Sequence, residues 1–179
     1  MLVEVLFSAV MLSVILMGGF LVSKSAMVST EQTVVAGEAD ARATRAMQRV
    51  HLLLRPAGRS TLEAIPGGGT EPEPMQDGVH YDNVRFRQVL DYRAGEPIYE
   101  PEPPENPFRV FFESDVADPE TGSLIFDDGE RQHKITSGVR DVVFEHTENR
   151  ITLRFTLAVR QGQGVRESML RRSVVLRSP

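Results

Sequence analysis

Side chains able to do acid–base or metal chemistry are few in this chain, and they are scattered. The four histidines, His51, His80, His133 and His146, share no paired spacing, and a lone histidine is commoner on a surface or at a helix end than in a ligand set. Two acidic groups, Asp115, Asp118 and Glu120, then Asp127, Asp128 and Glu130, carry the hard oxygens that calcium prefers. Neither follows the EF-hand pattern, and acidic turn residues ordinarily cap and solvate, so they stand as calcium candidates and no more. There is no Walker loop, dinucleotide glycine pattern, zinc-spaced cluster or nucleophile elbow. Cysteine is absent, which removes disulfides and thiolate ligands. No cofactor and no enzymatic activity are expected.

One carboxylate stands in an unusual place. From Leu2 to Val22 the chain reads LVEVLFSAVMLSVILMGGFLV, interrupted by Glu4, two serines and a glycine pair. That length fits a membrane-spanning helix, which needs about 20 apolar residues. A cleaved signal peptide would carry a basic start and a shorter apolar core, whereas here the first basic residue is Lys24. An ionised carboxylate in hydrocarbon costs on the order of 3 kcal/mol. Glu4 either snorkels to the interface and complements the positive helix N-terminus, or it has a partner. Gly18 and Gly19 also have two readings: close packing against another helix, or a place where the helix can stretch or melt.

The elements positioning these residues follow from periodicity. Met27, Val28, Val35, Ala39, Ala43, Ala46, Val50 and Leu53 recur at helical spacing, with Glu31, Glu38, Arg42, Arg45 and Arg49 on other faces. The helix is expected to run to Arg55, where Pro56 and Gly58 break it. If continuous it would be about 80 Å long at about 1.5 Å per residue. Expected segments are thus 1–23 (membrane half), 24–55 (amphipathic half) and 56–179 (head).

These residues resemble the type IV pilin superfamily, whose mature N-terminus is similar to F-S-L-V-E-V-L followed by an apolar stretch and an amphipathic helical half. Leu2, Val3, Glu4, Val5 and Leu6 match the L-V-E-V-L core, and Ser8 to Val22 match the apolar stretch. The resemblance implies that Glu4 pairs with the methylated terminal amine of a neighbouring subunit, an ionic register for assembly. It also implies a head built on an antiparallel sheet, with other pilins or pseudopilins and the lipid bilayer as partners. Met1 stands where the family has its second mature residue, and the basic leader ending in Gly is missing. Either an upstream part was removed or misread, which is the expectation, or the chain is not processed by a prepilin peptidase, which would be a further partner if a leader exists. Positive-inside logic on the chain as given would put Lys24 and the body in the cytoplasm, whereas a basic leader would export the head.

The head reads as β. Two Pro- and Gly-rich acidic stretches, around Pro66–Pro74 and from Glu96 to Pro107, are expected to be surface loops, the second only extended or polyproline-like. Period-two alternation predicts strands from Val84 through Leu90, over Phe108–Phe112, and at Leu124–Phe126, with turns at Asp118, Pro119 and Gly122 and at Asp128 and Gly129. The strictest alternation, Ile151 to Val159, predicts a hairpin with Val139–Glu145 across Glu148 and Asn149. A last strand over Met169–Leu176 follows the QGQG turn. This C-terminal order resembles the sheet of larger minor pseudopilins, the J-type component of type II secretion and the W-type minor pilins. The fold class expected is therefore α+β, a long N-terminal helix on an antiparallel sheet.

A net charge of −5 without a basic footprint speaks against nucleic acid as a partner of the head. The function expected is that of a structural minor pilin or pseudopilin, assembled through its helix and held in the inner membrane with the head in the periplasm or on the surface. A large, loop-rich head suits a tip or initiation role. The alternative is a single-pass, signal-anchored accessory or binding protein with no filament role.

Overall fold

The computed structural model describes residues 2–66, 71–102, 105–116, 118–161 and 164–176, and the side chains at 2, 4, 5, 31, 32, 160, 161, 164 and 166 lie outside that description. The chain divides into two compact units, Met1–Glu38 and Ala39–Pro179. One helix, α1 (Leu2–Leu54), supplies all of the first unit's described structure and the opening of the second.

Within the second unit α1 is amphipathic. Ala39, Ala43, Ala46, Met47, Val50 and Leu54 are buried, while Arg42, Arg45 and Arg49 are exposed. The spacing of these apolar residues lines one stripe of the helix, and the three alanines let its backbone lie close to what it covers. Met27 and Val28, also expected on this stripe, are exposed. Burial begins only at Ala39, so the compact head takes in the last part of the expected 24–55 segment. The helix ends because Pro56 has no N–H to donate and its ring disfavours helical geometry at Arg55.

Among the described residues eleven strands follow: β1 (Glu63–Ala64), β2 (Glu73–Pro74), β3 (His80–Tyr81), β4 (Asn83–Phe86), β5 (Gln88–Arg93), β6 (Glu96–Glu100), β7 (Phe108–Ser114), β8 (Gly122–Asp127), β9 (Gln132–Thr147), β10 (Arg150–Gln161) and β11 (Gly164–Val175). The main sheet has the order β11-β10-β9-β8-β7-β4-β1-β2, and β3 adds to β9 beyond the end of β8. All of these ladders are antiparallel. The class is α+β, with a curled antiparallel sheet. One face joins the helix stripe in a single core containing Val84, Phe86, Val110, Leu124, Phe144, Leu153 and Phe155. Along β10 the alternation holds as expected, with Ile151, Leu153, Phe155 and Leu157 buried.

Several expectations need correcting. The strand expected from Val84 through Leu90 is two strands in two sheets, broken at Arg87. There the Arg87 N–H donates to Thr61 Oγ1 and its carbonyl accepts from Gly58 N–H, while its guanidinium holds the carbonyls of Pro101 and Glu105. With its backbone engaged outside the ladder, the chain turns out of the main sheet. The stretch from Glu96 is not all loop: Glu96–Glu100 pairs with β5 across a tight Ala94–Gly95 turn in which both residues have positive φ. The short strand β2 likewise falls within the expected first loop, where it pairs with β1 just ahead of it. Asn83, 4% exposed, fixes the end of β1, accepting from Ile65 N–H at 2.9 Å and donating to Ile65 C=O at 2.8 Å.

Gly122 is the first residue of β8 rather than a turn residue. A Cβ there would overlap the Glu113 carbonyl and the Phe112 ring, so only glycine lets the strands approach. β9 begins at Gln132, ahead of the expected Val139, and passes through Gly138 at φ +73°, where its register with β8 shifts; its register with β10 shifts two residues on, at Arg140. β11 also starts earlier than Met169, because the alternation of its exposed residues hides a full ladder with β10.

Candidate assembly helix and polar clusters

Every described side chain from Leu6 to Thr30 is exposed. Leu6 is 63% and Phe20 68% exposed, values no water-facing helix sustains across so many large apolar residues. This helix is long and apolar enough to span a bilayer. Three of its hydroxyls are satisfied within the helix: Ser13 Oγ donates to the Ala9 carbonyl, Thr30 to Ala26 and Thr33 to Ser29, each at 2.9 Å. Back-bonding of this kind is how Ser and Thr are accommodated where water is absent.

Of the assembly residues named from sequence, Leu2, Glu4 and Val5 lie in the helical backbone, but their side chains fall outside the described atoms. Val3 is 80% exposed. At Gly18 and Gly19 an added Cβ would meet nothing within 4 Å. The pair therefore leaves open space on the helix surface into which a neighbouring helix could pack closely.

The acidic groups do not converge. Asp115 and Asp118 lie at one end of β8, Asp127 and Asp128 at the other. Asp118 Oδ1 accepts from Glu120 N–H and Asp127 Oδ1 from Gly129 N–H. Asp128 Oδ1 accepts from the N–H groups of Arg131 and Glu130, and its Oδ2 lies 3.0 Å from His133 Nε2. These backbone donors, Arg131 first, and then His133 hold the Asp128 carboxyl below its ordinary range. Among the described residues no group of three His, Asp or Glu is placed to hold a metal ion.

The histidines sit apart. His51, in the sheet-packed part of α1, is held below its ordinary pKa by burial, then by Arg172 and Arg55. His146 departs from the commoner surface placement of a lone histidine: it is buried, because it continues the inward-facing series of Val142 and Phe144 along β9. Its Nδ1 lies 2.8 Å from Asp77 Oδ1, yet neither ring nitrogen has an aligned hydrogen bond. Sequence reasoning missed this pair because the residues are far apart in the chain and meet only through a single bridge between the strand segments.

The class these features define is an α+β protein with a long exposed apolar helix leading into an antiparallel sheet. No family model, no curated protein and no solved structure matched the chain.

Proposed function

We propose that the chain is a structural subunit of the type IV pilin-like kind, a minor pilin or pseudopilin, rather than an enzyme. It enters the inner membrane through its N-terminal helix and assembles with related subunits through that same helix, with the head in the periplasm or on the cell surface. One observation carries the reading: α1 is exposed on every described side chain from Leu6 to Thr30 and buried along a single stripe against an antiparallel sheet from Ala39 onward. An apolar surface of that extent needs lipid or other helices around it. A carboxylate at position 4 is expensive in lipid and is repaid where a neighbouring subunit supplies a cation.

The test is Glu4→Leu, with Glu4→Ala beside it. Both variants are expected to fractionate with membranes as the parent chain does, and to lose crosslinking and co-purification with partner subunits. Assembly at parental levels by both variants would refute the reading. A simple anchored accessory protein would be indifferent to either change.

A further inference from the structure

On the sheet face opposite α1, Arg154 of β10 and Arg171 of β11 stand directly across from each other. Like charges in that register oppose sheet formation, since opposed Cβ atoms are only about 5 Å apart. Arg171 has a distant counter-ion: its Nη2 lies 3.9 Å from Glu145 Oε2 on β9. His80 of β3 approaches the same oxygen at 4.0 Å. Both separations are too long for hydrogen bonds. Arg154 is half-buried and has no hydrogen bond or ion pair among the described residues.

These groups, with Val143 and Thr152, line a recess of about 60 Å³. Thr152 and Ser173 close one side, their hydroxyls hydrogen-bonded at 2.9 Å. Two guanidiniums face one carboxylate here, so at least one positive charge, that of Arg154, is left uncompensated. The next outward-facing position on β9, Asp141, lies opposite Thr156 and lines no part of the recess.

The geometry points to a carboxylate-binding site centred on Arg154 and Arg171. A carboxylate is planar, carries a single charge and presents two oxygens that guanidiniums bind in fork geometry. Phosphate is tetrahedral rather than planar, and its dianion, about half the population at neutral pH, would bring an excess negative charge against Glu145. The carboxylate is either that of a small free acid or an acidic side chain on a partner protein, and the two are chemically the same at this recess. The site goes beyond the assembly role of the helix and does not depend on it.

The test uses the full ¹⁵N-labelled chain in zwitterionic micelles, with the arginine Nε–Hε resonances followed during titration. The probes are sodium acetate, a capped Asp-containing tripeptide and sodium phosphate, at ionic strength held constant with sodium chloride. The Arg154 and Arg171 signals are expected to shift saturably with acetate and with the peptide. Equal affinities would identify a small free carboxylate as sufficient, and a tighter peptide would identify a protein partner. R154Q and R171Q are each expected to weaken binding at least tenfold with a folded, dispersed spectrum, and R131Q, in an exposed turn, to leave it unchanged. Absence of saturation, an equal response to chloride, tighter binding of phosphate than acetate, or unchanged affinity in both R154Q and R171Q would overturn the assignment.

Discussion

Replacing Gly18 and Gly19 with alanine separates the intrinsic stiffness of the apolar helix from anything that packs on it. Beyond the helix's own local backbone each new Cβ enters open space, with no atom of the described residues within 4 Å, so no clash offsets the gain in helix propensity. That gain is about 1 kcal/mol per glycine, hence about 2 kcal/mol for the pair, or roughly a 30-fold smaller local opening constant. Hydrogen–deuterium exchange of the chain in detergent micelles, resolved over residues 14–23, reads this directly. The amides around the pair should exchange more than tenfold more slowly in G18A/G19A. Unchanged or faster exchange would refute the reasoning, since it would mean that something other than backbone freedom sets the opening of this segment. A leucine pair at the same positions adds a second comparison. If assembly survives alanine and fails with leucine, the glycines serve close approach; if it already fails with alanine, they serve flexibility.

Other consequences concern the head. Gly122→Ala should destabilise it by about 1–3 kcal/mol in a denaturant titration, because the methyl group enters the space of the Glu113 carbonyl and the Phe112 ring. Asn83→Leu removes both hydrogen bonds to Ile65 and should cost about 2 kcal/mol by the same measurement. Asp128 titrates below its ordinary value in the folded protein, so its contribution is present above pH of about 4 and is lost as pH falls through the folded pKa. Thermal melts between pH 2 and 6 should therefore show a shallower acid limb in Asp128→Asn, with little change at neutral pH.

What was legible in the sequence was whatever repeats. The alanine stripe on α1 and the alternation of Ile151 to Val159 each show one buried face, and both elements lie where their period puts them. Where a single residue decides, periodicity is blind. Arg87 ends β4 through bonds to Thr61, Pro101 and Glu105, contacts unknowable before the chain is folded. Gly122 reads as turn chemistry until the neighbouring strand shows why no side chain fits. Of the candidate site, the charge at position 4 is visible at once because it interrupts an apolar run. The Arg154–Arg171 opposition needs the β10–β11 register, which alternation alone does not fix.

The stripe on α1 also has a history in time. Ser168 of β11 donates a hydrogen bond to Asp40 at a separation of 128 residues, and the cover over Val50 and Leu54 includes Val174 and Leu176. Synthesis therefore completes the helix first and its cover last, an interval on the order of 10 s at ribosomal speed. Throughout that wait the nascent stripe lacks its sheet cover. Ala39, Ala43 and Ala46 make it a mild hazard, since a methyl group exposes far less apolar area than a leucine would. The small residues that bring helix and sheet close in the finished protein also limit the apolar area this stripe exposes in the unfinished one.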